Sequence, residues 1–440
     1  MKIVKNKKIK NGSTEIIIID KIKGIFKKVN LDKIKFWLDG KKLYVYADKK
    51  TDWRQLGFDL ANYLSKFDTD FHIKLPKNNK EFVEGVILGS YEYSKKSDKK
   101  KSNSKLNLIG LINKKGSKAA EAQNFVRDLV NSPPNEINSI TLKDLILEEF
   151  HMKDTKFKIY TDFYEEFEMA DLGMNGHLAV NAASENPALT IKLSFKPENP
   201  KRKIVLVGKG LTYDSGGLDI KTHMETMKLD KSGAMTLIGL MKYISECGSE
   251  NEIICYLGIA ENMVDSRSYR ADDIITMMNG KTVEVKNTDA EGRLVLFDNL
   301  TLAEKENKDA DEFHSLATLT GAAINAFGAE VAPLVGFNDK LKKKIIKSGK
   351  KVDEIFINAE FHKYMMDGVN GSITDLVNTG TPTMGCQKAG LFLTNALTKK
   401  GRKKYVHWDI AGPAFAESPF GTNKKGGTGF GVRTLIELFS

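Results

Sequence analysis

Ile204-Val205-Leu206-Val207-Gly208-Lys209-Gly210-Leu211-Thr212-Tyr213-Asp214-Ser215-Gly216-Gly217-Leu218-Asp219-Ile220-Lys221 is the stretch that sets the architecture of this chain. Ile204 to Val207 is continuously apolar, as expected of a strand covered by helices on both faces. At Gly208 the run gives way to glycines and charged residues. In open α/β sheets, sites form outside the carboxyl ends of the strands, so this polar part is expected there. Gly208-Lys209-Gly210 lacks the GxxxxGK[ST] spacing of a phosphate loop. Gly216-Gly217 suggests backbone that closely approaches something bulky or charged.

Working outward, strands and helices alternate. Strand candidates are Leu189 to Phe195, Ile253 to Ala260, Phe313 to Leu319, Ala332 to Gly336 and Val406 to Ile410. Helix candidates are Lys231 to Glu246, Leu294 to Lys305 and Lys388 to Lys399. The class is α/β, with a mostly parallel or mixed sheet sandwiched by helices in a C-terminal catalytic domain. A smaller N-terminal α/β domain precedes it. There, Thr14 to Asp20 reads as a strand and Phe36 to Ala47 as a hairpin turning at Asp39-Gly40. Trp53, Leu56, Leu60, Tyr63, Leu64 and Phe67 recur at helical spacing. Phe82 to Tyr93 is a further helix and Leu106 to Ile112 a strand. Ser117 to Val130 reads as a helix, stopped by Asn131-Ser132-Pro133-Pro134-Asn135. The expected organisation is a domain over 1–115, a linking helix over 116–131 and a catalytic domain over 132–440.

The 440-residue length suits two domains, and no run of apolar residues is long enough to span a membrane. The basic start, Met1-Lys2-Ile3-Val4-Lys5, has no apolar segment or cleavage site after it. Cys247, Cys255 and Cys386 are few and lack CxxC spacing, which disfavours disulfides and a thiolate zinc site. A cytoplasmic location is expected. The net charge of +11 raises nucleic-acid binding as a role. The excess is nearly all dispersed lysine, and the densest cluster, Lys95 to Lys105, has no interleaved aromatic residue. A solvated loop is the better reading there.

The polar residues after Val207 are joined by two other segments. Asp230 lies near the start of the helix after Met224-Glu225-Thr226-Met227-Lys228-Leu229. Asn287-Thr288-Asp289-Ala290-Glu291-Gly292-Arg293-Leu294 places acid, acid and guanidinium at alternate positions, which in an extended stretch share one face. Each residue has a plain structural role open to it: N-cap for Asp230, Asx-turn for Asp214, surface charge for Lys209 and Lys221. Together, Asp214, Asp230, Asp289 and Glu291 form an oxygen-rich set with no HExxH motif nearby, suited to two divalent cations sharing bridging carboxylates. Lys209 fits such company if a dication depresses its pKa until the amine is a ligand. Lys221 suits oxyanion stabilisation, and Arg293 suits holding an anion by its planar fork.

The chain resembles the leucyl aminopeptidase family of cytosolic dinuclear metallopeptidases. NTDAEGRL, complete at Asn287 to Leu294, is that family's signature, and Val207 to Lys221 is similar to its first metal segment. FHSLATLTGA (Phe313 to Ala322), HWDIAGPA (His407 to Ala414) and the NSPPNE segment extend the likeness from about residue 110 to the end. The resemblance implies that Asp214 and Glu291 bridge two metals, that Asp289 completes one, and that Lys209 with Asp230 completes the other. It makes Lys221 and Arg293 the catalytic pair. Arg293 holds a bicarbonate that acts as general base, while Lys221 polarises the scissile carbonyl. Met227, Thr318 and Gly321 align with the pocket for an apolar, leucine-like first side chain. The free α-amine of the peptide substrate binds one metal, which confines cleavage to the N-terminus. Zinc and manganese suit the ligand set, with magnesium and cobalt also compatible, and a homohexamer is implied. Two departures stand out. The segment between Lys221 and Asp230 is about two residues shorter than usual, and Lys231-Ser232-Gly233 replaces the usual Met-x-Gly. The competing roles are a DNA-binding or regulatory protein on a peptidase scaffold, and a different dinuclear hydrolase such as a phosphoesterase.

Overall fold

The computed structural model describes residues 2–6, 13–19, 36–75, 79–97, 105–380 and 383–440. It divides into two compact units, Met1–Asn124 with Gly421–Asn423, and Phe125–Phe420 with Lys424–Ser440. The division falls within the helix Lys114–Asn131.

In the first unit, β1 (Lys2–Asn6), β2 (Thr14–Ile19), β3 (Phe36–Asp39), β4 (Lys42–Tyr46), β5 (Phe71–Lys74) and β6 (Lys105–Ile109) form a sheet of order β1-β6-β5-β2-β4-β3. β3 and β4 are the expected antiparallel hairpin, and the other pairings are parallel. The helices Trp53–Leu64 and Lys80–Gly89 bury Leu56, Leu60, Phe82 and Val86 in one core with Leu43, Val45 and Ile73. Asp20 and most of the Lys95 to Lys105 segment lie outside the described residues.

The second unit holds β7 (Tyr160–Tyr164), β8 (Leu189–Phe195), β9 (Lys203–Asp214), β10 (Glu252–Asn262), β11 (Ile274–Thr276), β12 (Thr282–Glu284), β13 (Glu312–Ala317), β14 (Val331–Val335), β15 (Ile355–Asn358), β16 (Leu376–Val377) and β17 (Tyr405–Asp409). Eight of these strands make a mixed sheet of order β15-β14-β17-β13-β9-β10-β8-β7. Its middle strands β17, β13, β9 and β10 run parallel, while β8 and β14 pair antiparallel to their inner neighbours. Ile204, Val205, Leu206 and Val207 have no solvent exposure, as their unbroken apolar character predicts. The helices Ser232–Cys247 and Gly292–Glu306 both pack on β9 and β10. No helix among the described residues is long and apolar enough to cross a membrane.

Two sequence readings need correction. The strand expected to end at Val207 runs on to Asp214, because β10 stays hydrogen-bonded alongside it as far as Asn262. Gly208 is therefore not a strand end. It is where the first turn of the helix Ser232–Cys247 presses on the sheet, and a Cβ there would sit 2.7 Å from Ala234 Cα. The helix expected over Lys388 to Lys399 spans Gly385–Thr394 instead. Asn395 folds its side chain back onto the Leu391 carbonyl, and Thr398 caps a separate short turn at Lys399–Arg402.

Gly208→Val would thrust a branched side chain into helix backbone that cannot give way. A loss of about 1–3 kcal/mol is expected, the usual cost of overpacking a filled core. Urea denaturation followed by circular dichroism measures it, and wild-type stability in the variant would contradict this packing.

Candidate active site

The site lies where β9 and β10 end. Asp214, the last residue of β9, is 2 % exposed. Its Oδ1 accepts from the Gly216 N–H and from Asn262 Nδ2, both at 2.9 Å, and Asn262 is the last residue of β10. Gly216 and Gly217, at φ +89° and +65°, turn the chain so that Lys221 comes back to Asp214, with 2.8 Å from Nζ to Oδ2. Lys221 also pairs with Asp289. Lys209 sits within β9, 3 % exposed, and its Nζ lies 2.7 Å from both Asp230 and Glu291. The amine also donates to the Thr318 carbonyl at 3.1 Å.

The octapeptide is not extended. Thr288 and Asp289 form a turn, and Glu291 already has helical backbone angles, φ −79° and ψ −42°, ahead of the helix Gly292–Glu306. Asp289 and Glu291 thus meet because the chain turns there, not through strand alternation. The turn is held by Asn287 Oδ1 accepting from the Asp289 N–H at 2.6 Å. Thr288 adds its hydroxyl to the Gly216 carbonyl at 2.7 Å, and its N–H to the Asp219 carboxylate at 2.7 Å. Gly292 has a specific partner: a Cβ there would lie 2.4 Å from Lys209 Cε. The glycine clears the path of the lysine that reaches Glu291.

Asp230 lies in a 3₁₀ turn, Met227–Lys231, that leads into the helix Ser232–Cys247. It caps no helix N–H. Its Oδ1 accepts from the Thr318 hydroxyl at 2.7 Å instead. Thr318 therefore serves both sides of the ion pair, its hydroxyl donating to Asp230 and its carbonyl accepting from Lys209. Met227 opens the 3₁₀ turn half-buried, and Gly321 opens the helix Gly321–Phe327 at the surface. Arg293 is buried, and its Nη1 donates to the Asn378 carbonyl at 2.6 Å while Nε has no hydrogen-bond partner. Asn378, Asn262, Thr288 and Tyr269, whose hydroxyl donates to the Thr288 carbonyl at 2.5 Å, were not picked out from sequence. Asn262 was findable, since it ends a strand beside Asp214. Nothing in the sequence marks Asn378. Asp409, at the end of β17, accepts from the Leu319 N–H and the Thr320 hydroxyl, which joins the FHSLATLTGA and HWDIAGPA segments.

The electrostatics follow from crowding. Burial, followed by repulsion from Asp214 and Glu291, lifts the Asp289 carboxyl to about 6. Burial lifts Asp230 to about 7 despite the Lys209 ammonium beside it. Burial pulls Lys209 and Lys221 down, but the surrounding carboxylates outweigh it and hold both amines above their ordinary range. Oxygen atoms of Asp214, Asp289 and Glu291 all lie within 4.8 Å of one another, a spacing at which one cation can share them. Carboxyls lifted by burial and by repulsion from their neighbours are groups that a divalent cation would relieve. The residues fit a metal.

The chain is also similar to known proteins. Residues 124–436 match the model of the cytosol aminopeptidase family, catalytic domain. The chain belongs to this family of metal-dependent aminopeptidases. A probable cytosol aminopeptidase of Aquifex aeolicus is 40% identical over 372 residues, covering 81% of this chain and 73% of that one. One from Campylobacter jejuni is 34% identical over 465 residues, covering 98% and 93%. Among solved structures, a tomato leucine aminopeptidase mutant has a TM-score of 0.86 at 27% identity, covering 100% of this chain and 96% of that one. The bottromycin maturation enzyme BotP in complex with Mn also has a TM-score of 0.86, at 25% identity, covering 99% and 98%. The protein is thus a peptidase that removes residues from the N-terminus.

A carboxyl raised in the folded state keeps a proton that the unfolded chain has lost between about pH 4 and the values at Asp289 and Asp230. Without a cation, stability therefore falls as pH rises through that window. A binding cation must displace those protons, so affinity for Mn²⁺ is expected to weaken as pH falls from about 7 to about 5. Calorimetric titration of metal-stripped protein in buffers of different ionisation heat reads both affinity and proton release. Affinity independent of pH would contradict the assignment.

Proposed function

We propose that the protein is a dinuclear, leucyl-type aminopeptidase acting on peptides with an apolar first residue. The observation that carries this reading is the meeting of Asp214, Asp289 and Glu291 within 4.8 Å, with Lys209 joining Glu291 to Asp230. Asp214 and Glu291 would bridge two cations, Asp289 would complete one, and Lys209 with Asp230 the other. When bound, the cations supply Lewis-acid activation of water and carbonyl, and a bicarbonate on Arg293 supplies a proton acceptor. Zinc or manganese suits the donor set, and the Mn complex of BotP supports manganese.

The chain's own residues do the rest. Lys221, held by Asp214 and Asp289 and kept charged by them, offers its ammonium to the oxygen of the scissile carbonyl as negative charge develops. Arg293 is fixed by Asn378, and its unpaired Nε is available to an anion. Met227, Thr318 and Gly321 are the proposed lining for the first side chain, and the names of the leucine aminopeptidase relatives support that preference. A cytoplasmic location and a homohexamer are proposed from the family likeness, and sedimentation analysis tests the assembly.

Lys221→Ala is expected to lower kcat on leucine-anilide on the order of 100- to 1,000-fold, the usual loss for an oxyanion donor. Glu291→Ala should abolish turnover and metal binding together. The decisive assay is a panel of aminoacyl-anilides with metal-stripped protein re-supplied with zinc, manganese, magnesium or cobalt. Turnover that ignores metal identity and removal would sink the reading. Asn378→Ala should release Arg293 and cut kcat about tenfold with bound metal unchanged, as read by elemental analysis beside the kinetics.

A further inference from the structure

The helix that begins at Gly292 ends at a second concavity. At a rise of about 1.5 Å per residue, its far end lies roughly 20 Å from Arg293. There a cavity of about 670 Å³ opens, within the range of about 300–1,000 Å³ usual for small-molecule sites. Five cations from three separate segments line it: Lys281, Lys305 and Lys308, Lys400 and Arg402. Attraction to the helix C-terminus accounts for Lys305 but not for Lys281 or Lys400, which other segments bring in.

Few acids face these cations: Glu304 lies near Arg402, and Asp375 acts on Lys281 from outside the lining. The side chains of Lys281, Lys305, Lys308 and Lys400 make no hydrogen bond or ion pair among the described residues. The one acid in the lining, Glu304, is already engaged: its two oxygens accept from the Thr398 N–H at 2.7 Å and hydroxyl at 2.6 Å. Arg402 is half-buried and pinned, with Nε on the Leu397 carbonyl at 3.2 Å and Nη2 on Asn395 Oδ1 at 3.1 Å. A guanidinium fixed in this way loses little freedom on binding an anion. Behind the charges lie Met278, Ala396 and Leu397, the last two buried.

We propose that this cavity binds a small phosphorylated molecule of nucleotide size. Its phosphates would lie among Lys305, Lys308, Lys400 and Arg402, and its apolar part against Met278, Ala396 and Leu397. Five cations around a single acid, itself hydrogen-bonded by Thr398, leave a positive excess that calls for several negative charges on compact groups, which phosphates provide. The apolar wall favours a ligand with more than phosphate to offer.

Calorimetric titration of the full chain with ADP and with inorganic phosphate tests this at low and at moderate salt. ADP is expected to bind saturably at one site per chain and more tightly than phosphate. The K305E/K308E double variant should weaken ADP at least about tenfold, or 1.4 kcal/mol. K343E/K347E makes the same charge change on the helix Asp339–Lys351, away from the cavity lining, and should leave ADP binding intact. Thermal melting checks that both variants fold. No saturable ADP binding, or equal loss in the two variants, would overturn the proposal; the latter would mean that general positive charge attracts polyanions without a site.

Discussion

The structure of the catalytic unit turns on one buried ammonium. Lys209 comes from the middle of a central strand and ends 2.7 Å from two carboxylates, Asp230 and Glu291, that arrive from separate segments. Breaking such a pair by removing one partner leaves an uncompensated buried charge, at about 3–5 kcal/mol. The strand, the 3₁₀ turn before the helix Ser232–Cys247 and the start of the helix Gly292–Glu306 are therefore bound to one geometry. The absent side chain of Gly292 lets the lysine pass, and Thr318 fills the remaining polar valences of both Lys209 and Asp230.

Around that ammonium the scaffold holds negative charge at a density water would normally screen. Asp214 and Asn262 end adjacent parallel strands, so the sheet register fixes one carboxylate beside its amide. Thr288 ties the second acidic segment to Gly216 and Asp219, and Tyr269 holds the Thr288 carbonyl from the other side. Burial, with repulsion inside the cluster added to it, raises the Asp230 and Asp289 carboxyls, a cost that cation binding offsets. This is the sense in which an aminopeptidase of this family is built to want metal. Its folded state concentrates the charge that the metal neutralises.

Much of this is legible in the sequence. The segments Leu189 to Phe195 and Ile253 to Ala260 are strands within two residues of their expected ends: the first alternates apolar and polar residues as a strand with one better-covered face does, and the second is almost wholly buried. β7 and β15 are not among the expected strands: Tyr160–Tyr164 carries no apolar run, and Ile355–Asn358 is a four-residue edge strand whose brief apolar run leaves Ile355 and Ile357 exposed. Glycines misled the reading of Ile204 to Lys221: a glycine usually weakens a strand, but here it makes room for a helix on a strand that continues.

By itself, the sequence determined the α/β class and the chemical character of the site, because apolar periodicity and the residue types at strand ends are local properties. It also named the carboxylates, lysines and arginine that the structure brings to one end of the sheet. Only the tertiary structure decided how they meet. The turn at Thr288 and Asp289, the place of Lys209 within the strand and the hold of Asn378 on Arg293 all depend on contacts between residues far apart in the chain. Hydrogen bonds and charge pairs of that kind leave no periodic trace, so spacing along the sequence could propose the site's members but not their geometry.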